Sequence, residues 1–174
     1  FAPEVIDSFK ALAATGSVDF LAEPYAHSLS SIFNAAEFEK QVTKHIEKIK
    51  TLFNIVPSVF FNTEMIYSDE IGSMVSKMGF KTMLIDEAKH VLGWKSPNFL
   101  YKHVSNPKFK LMIRNWKLSD DLAFRFSALK LNAETYLDWI AALPAQEELI
   151  NIGMGYEVFG HLNKTESGIF DFLK

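Results

Sequence analysis

Apolar and polar positions alternate along this chain in two rhythms, one helical and one extended. Val5, Ile6, Phe9, Leu12 and Ala13 fall on one face of a 3.6-residue repeat behind Pro3, a residue suited to the first helical position, and Gly16 follows as a stop. Phe38, Val42, Ile46, Ile49, Leu52 and Phe53 repeat that rhythm over a longer span, with Glu39, Lys40, Lys44, Glu47, Lys48 and Lys50 on the opposite face. A third helix is predicted from the cap sequence Ser68-Asp69-Glu70 to Gly79, burying Ile71, Met74, Val75 and Met78. Between the helices, short β-branched and aromatic runs read as strands: Val18 to Ala22, Val59 to Phe61 and Thr82 to Ile85.

Beyond Asp86 the rhythm weakens. Gly93-Trp94-Lys95-Ser96-Pro97-Asn98 reads as part of a long loop reaching Asn106. Leu111 to Arg114 is the next strand candidate, Ser119-Asp120-Asp121 a cap for a short helix holding Phe124 and Phe126, and Asn132 a cap for another. That second helix carries Tyr136, Leu137, Ile140 and Ala141 inward and ends before Pro144; Glu148 to Met154 is a fifth strand, and a terminal helix starts at Ser167. Strands alternating with helices, joined by right-handed crossovers, predict an α/β fold with parallel strands and helices outside, either an open sheet or most of a barrel.

In such folds chemistry gathers at the C-terminal ends of the strands, where a rigid strand delivers a variable loop. Val59-Phe60-Phe61 stops at Asn62-Thr63, so Glu64 stands just past a strand end, and Tyr25 and His27 follow Glu23-Pro24 at another. A lone glutamate in such a loop is more often a cap or ion-pair residue than a nucleophile, so the surrounding chain has to decide its role.

Composition narrows the field. The 174 residues are 48% hydrophobic, enough for a sizeable core, and the net charge of -3 with no basic block suggests neither a nucleic-acid surface nor a polybasic membrane patch. Aromatic residues make up 14%, fitting a large core or a sugar-stacking cleft. Without cysteine there is no disulfide, thiolate nucleophile or zinc-thiolate site. No histidine pair has the spacing of a helical metal site, and no cofactor motif is present, since Gly153-Met154-Gly155 lacks the third glycine of a phosphate loop. No run approaches the ~18 apolar residues of a membrane span and no signal-peptide pattern opens the chain, which leaves the compartment open with a lean to the cytoplasm.

Three stretches together resemble glycoside hydrolase family 57, the α-amylase-like family. They are Gly16-Ser17-Val18-Asp19-Phe20-Leu21-Ala22-Glu23-Pro24-Tyr25-Ala26-His27-Ser28-Leu29, then Phe61-Asn62-Thr63-Glu64-Met65-Ile66-Tyr67, then Gly153-Met154-Gly155-Tyr156-Glu157-Val158-Phe159-Gly160 with Gly168-Ile169-Phe170. The likeness continues through Ala88 to Asn98 and Arg114-Asn115. It implies an incomplete (β/α)7 barrel acting on α-1,4-glucans with retention, Glu64 as nucleophile, and Asp19, Tyr25, His27, Trp94 and Tyr156 as substrate contacts. It also implies that residues 1–174 are the middle of one catalytic-type barrel domain, without its first strands and its C-terminal helical region. Open barrel edges would then favour self-association.

The departures from the family pattern are informative. Gly155 stands where the family carries its acid/base aspartate, Asp19 replaces a glutamate, Phe61 an arginine, and His161-Leu162 a Glu-His pair. Retaining hydrolysis requires two carboxyl groups about 5 to 5.5 Å apart. Loss of the general acid costs about 10² to 10⁴ in rate for a poor leaving group. The resemblance therefore predicts an impaired hydrolase or transferase, or alternatively an inactive protein that binds maltooligosaccharides. Glu157 and His161 are the local candidates to replace the missing acid, with Glu157 alternatively orienting substrate or pairing with a cation and His161 alternatively an exposed loop histidine; were Tyr156-Glu157 to continue a strand, Glu157 would lie on the side of Gly155, roughly 6.5 to 7 Å further along.

Overall fold

A computed structural model describes residues 3–174. The chain forms two compact units, one running to Ile85 and taking in Tyr101–Met112, the other comprising Asp86–Leu100 and Ile113–Lys174.

The first unit opens with α1 (Pro3–Ala14), stopped as expected at Gly16, whose φ of +69° suits glycine. Phe9 meets Phe20 and Phe53 edge-on, and Phe20 stacks on Phe53 with centroids 4.2 Å apart. A single turn, α2 (Ser30–Phe33), precedes α3 (Ala35–Phe53), where Asn34 Oδ1 accepts the Glu37 N–H at 3.0 Å and Asn54 closes the far end in the left-handed region. Phe38, Val42 and Ile49 are the buried stripe that the spacing predicts.

Strand β1 (Val59–Phe61), helix α4 (Asp69–Lys77) and strand β2 (Thr82–Ile85) form a βαβ unit, with Val59 opposite Thr82 and Phe61 opposite Leu84 in parallel register. Ser68 Oγ caps α4 by accepting the Ile71 N–H, as its position implies. With β3 (Tyr101–Lys102) and β4 (Lys110–Ile113) the sheet order is β1-β2-β4-β3, mostly parallel, and β3 pairs antiparallel with β4. The α/β class with outer helices is thus realised, and Phe60 and Met83 are fully enclosed at its centre, with the Phe38 ring edge-on to Phe60. Full burial of side chains of this size contributes roughly 1.5 to 3 kcal/mol each.

Val18 to Ala22 is not a full strand. Only Ala22 joins the sheet, donating to Val59 O at 3.0 Å and accepting from Phe61 N at 2.8 Å. The ladder stops there because the next residue facing β1 is Pro24, which has no N–H to donate, while the Glu23 N–H on the opposite edge goes to His45 Nδ1.

The second unit holds α5 (Lys89–Leu92), which buries none of its residues, and packs α6 (Trp116–Phe124), α7 (Ala133–Ala141) and α8 (Ile169–Phe172) around Leu118, Leu122, Phe126, Leu131, Tyr136 and Ile169. Asn132 caps α7 as expected. Three expectations are corrected. Helix α6 begins earlier, capped by Asn115 Oδ1 on Leu118 N; Ser119 lies inside the helix, fully buried, its Oγ accepting the Gly153 N–H. Leu137 turns outward at 61% exposure, because the core takes Tyr136 on the adjacent face. Glu148 to Met154 shrinks to one bridge, Asn151 with Arg114, since Glu148 and Leu149 give their N–H groups to Asn98 O and Gly153 gives its own to Ser119. Among the described residues no helix is long and apolar enough to cross a membrane.

Candidate active site

Asn62 and Thr63 leave β1 and anchor the turn that presents Glu64. The Asn62 side chain is fully buried and donates to Ser31 Oγ at 3.0 Å and to Ile66 O at 2.9 Å, while Thr63 Oγ1 donates to Ser28 O at 2.9 Å. Glu64 and Met65 both sit at positive φ, +54° and +52°, a region that costs a non-glycine residue roughly 1 to 2 kcal/mol. Backbone of this kind persists where the surroundings over-determine it. Here two buried polar side chains do so, and the Glu64 side chain stands 74% exposed beyond the strand end. Asn62 Oδ1 is buried without a hydrogen-bond partner, a further cost located at this turn.

His27, also at positive φ, lies between two carboxylates: Nε2 is 3.4 Å from Glu64 Oε1 and Nδ1 is 3.6 Å from Glu23 Oε2. Behind Glu23, His45 accepts the Glu23 N–H at Nδ1 (3.1 Å), and its Nε2 is 3.9 Å from Glu23 Oε1. Burial holds the His45 imidazole below its ordinary pKa, with the Glu23 carboxylate opposing in part. The result is a chain of groups His45, Glu23, His27, Glu64. Of these, Glu23 and His45 do not stand out as site residues in the sequence; the available signal is the spacing of Val42, His45 and Ile49, which puts a histidine on the buried face of α3.

The other expected contacts are distributed. Tyr25, two residues before His27, lies under Lys44 Nζ at 4.0 Å, and Asp19 is exposed in the extended segment before Ala22, with no described hydrogen bond or ion pair to Glu64. In the second unit, Asn98 pins the Gly93–Asn98 loop: its side chain donates to Glu147 Oε2 and accepts from Asn115 Nδ2 at 3.1 Å. Trp94 projects from that loop at 93% exposure. Glu87, just beyond β2, is a carboxyl that sequence reading passes over; burial raises its pKa.

Around Gly155 the chain makes a 3-10 turn, Tyr156–Val158, instead of a strand. The turn removes the spacing expected along a strand, because it curls the Glu157 side chain back onto Gly155. A Cβ built on Gly155 would fall on the Glu157 carboxyl group, Cδ and both oxygens. Tyr156 is 81% exposed, Val158 is buried beneath the turn, and Asn163, also buried, donates to Ala123 O at 3.0 Å and to Val158 O at 3.3 Å. Arg114 braces the preceding segment, its Nε donating to Gly153 O at 2.7 Å while its guanidinium pairs with Asp86 and Asp120. Arg125 and Lys117 both pair with Asp121. Among the described residues no cluster of three or more histidine, aspartate and glutamate side chains is placed to hold a metal ion.

The fold is shared with two solved enzyme structures. It matches a glycoside-hydrolase-family-57-type branching enzyme from Pyrococcus horikoshii at a TM-score of 0.76, with 12% identity, over 97% of this chain and 44% of that one. It matches a 4-alpha-glucanotransferase from Thermococcus litoralis at 0.70, also with 12% identity, over 86% of this chain and 23% of that one. The chain belongs to glycosyl hydrolase family 57, whose sequence profile matches residues 1–174. A relative from Methanocaldococcus jannaschii that bears the name "Putative alpha-amylase" is 42% identical over 176 residues. That match covers 98% of this chain and 37% of the relative, so the chain spans little more than a third of the curated protein it matches.

Proposed function

We propose that Glu64 is the nucleophile of a retaining reaction on α-1,4-glucans. The observation that carries this reading is an exposed carboxylate on a left-handed turn held by two buried polar side chains at a strand's C-terminal end. An ordinary surface glutamate has no need of such a support. Family membership supports α-glucans as the substrate class, and Asp19, Tyr25, His27, Trp94 and Tyr156 are proposed to contact the sugar chain, with the exposed faces of Trp94 and Tyr156 suited to stacking.

In the first step a Glu64 oxygen bonds to the anomeric carbon as the glycosidic C–O bond breaks, and in the second step water displaces the ester. Position 155, occupied by glycine, supplies no proton, and this favours a second reading in which the protein binds maltooligosaccharides without cleaving them.

A fluorinated maltooligosaccharyl fluoride separates the two. Fluoride departs without proton assistance, so the full-length protein should accumulate a covalent glycosyl ester that peptide mass spectrometry places on Glu64. Binding of maltooligosaccharide with no ester on Glu64 selects the non-catalytic reading.

A further inference from the structure

We propose that His27 is a positioning residue for Glu64, holding one carboxylate oxygen while the other attacks and stabilising the carboxylate as it is released from the ester. The inference rests on the reading of Glu64 as nucleophile, and every residue it uses lies in the first unit. Backbone geometry carries it. His27 and Glu64 are both in the left-handed region, at φ +50° and +54°. The residue after His27 is bonded to the residue before Glu64, with Thr63 Oγ1 donating to Ser28 O at 2.9 Å. Two turns that each cost free energy are thus fastened to one another, and the fastening brings the imidazole to the carboxylate.

Helix α3 holds the His27 turn as well. The His27 N–H donates to Pro24 O at 2.8 Å, and the residues on either side of it both donate to Gln41 Oε1, Ala26 from its N–H at 3.3 Å and Ser28 from its hydroxyl at 2.9 Å. Thr63 and the adjoining Asn62 are buried, so the support lies beneath the exposed ends of the two side chains. From this seat Nε2 reaches Glu64 Oε1 at 3.4 Å, while Nδ1 stands 3.6 Å from Glu23 Oε2. An ionised carboxylate can only accept, so the imidazolium, with a proton on each nitrogen, serves both at once. Glu64 Oε2 has no described hydrogen bond and is the oxygen left to attack.

A donor on Oε1 acts in opposite senses on the two steps. In the first, Oε2 bonds to the anomeric carbon, the leaving group departs with its electron pair, and the carboxylate charge that His27 stabilises is consumed. In the second, a water oxygen bonds to that carbon and the bond to Oε2 breaks. Its electron pair restores the carboxylate, and the proton lost by the water passes to solvent. A hydrogen bond to a charged oxygen is stronger than one to an ester carbonyl, so His27 favours the second step over the first.

The test uses the full-length protein and the fluorinated maltooligosaccharyl fluoride. Mass spectrometry follows formation of the Glu64 ester and then, once excess reagent is removed, its hydrolysis. His27→Asn keeps a residue that tolerates positive φ, but its shorter side chain puts the amide near the Nδ1 position, away from Glu64. The ratio of the hydrolysis rate to the formation rate should fall roughly 3- to 10-fold. A lost sugar contact or a loosened fold slows both steps and leaves that ratio alone. His27→Gln, whose amide reaches the Nε2 position, should bring the ratio back toward the wild-type value. An unchanged ratio in His27→Asn, with circular dichroism matching the wild type, would overturn the proposal and leave Glu64 standing as nucleophile. A wild type that forms no ester on Glu64 is a different failure, since it removes the nucleophile and the proposal with it.

Discussion

At Glu64, side-chain chemistry and backbone cost are joined in one residue. Its φ of +54° is tolerated because Asn62 and Thr63 hold the turn from below. Glycine meets no steric penalty in that region, so Glu64→Gly should raise stability by about 0.5 to 1 kcal/mol in denaturant unfolding while abolishing fluoride turnover. A destabilised variant would mean that the carboxylate, and its contact with His27, contributes more to folding than the turn costs. The residue scale is also where sequence reading succeeds and then stops. Asn62-Thr63-Glu64 after an apolar strand is legible because the strand and its abrupt end are local properties. The back-fold of Glu157 onto Gly155 is not, because a strand would set Glu157 on the same side but roughly 6.5 to 7 Å further along, and it is the 3-10 turn that brings the carboxyl against Gly155.

Among the elements, α4 shows how packing reverses a propensity. Gly72 lies inside this helix, where alanine is ordinarily about 0.8 to 1 kcal/mol more favourable than glycine. Here a Cβ would come within 2.6 Å of His103 Cδ2 and 2.8 Å of Tyr67 Cε2. His103 has little room to yield, being buried, donating from Nε2 to Asp69 O at 2.9 Å and accepting at Nδ1 from Ser105 N at 3.2 Å. Gly72→Ala should therefore destabilise, by about 1 to 3 kcal/mol, seen as a lower Tm; an unchanged or raised Tm would show that the helix and the ring can part at little cost. The same balance explains the strands. Thr82 to Ile85 appears as read because a continuous β-branched and apolar run meets partners on both sides. Glu148 to Met154 is composed much like a strand, yet Asn98 and Ser119 intercept its N–H groups.

For the molecule as a whole, His45 links the site's support to pH. Burial lowers its pKa below the ordinary 6.5, so the folded state binds fewer protons there than the unfolded chain. The stability this represents is present above pH 6.5 and is lost as the pH falls through the depressed folded value. Glu23, the charged group facing His45, weakens the effect without reversing it. Tm should fall between pH 7.5 and pH 5, and His45→Asn, which keeps an acceptor for the Glu23 N–H, should flatten that part of the profile. An identical slope in the variant would assign the pH dependence to other groups.

The sequence alone determined the alternation of strands and helices, the caps at Ser68 and Asn132, the family, and the strand-end position of Glu64, because each depends on neighbours in the chain or on a contiguous motif. Tertiary structure decided what lies far apart in sequence or turns on one local conformation: Glu23 between His27 and His45, Arg114 on Gly153, Ser119 buried inside α6, and a carboxyl seated on Gly155. Side-chain direction is set by which backbone groups find partners, and those partners come from segments distant in sequence, as with Arg114 and Gly153, 39 residues apart, or Asn98 and Glu147, 49 residues apart.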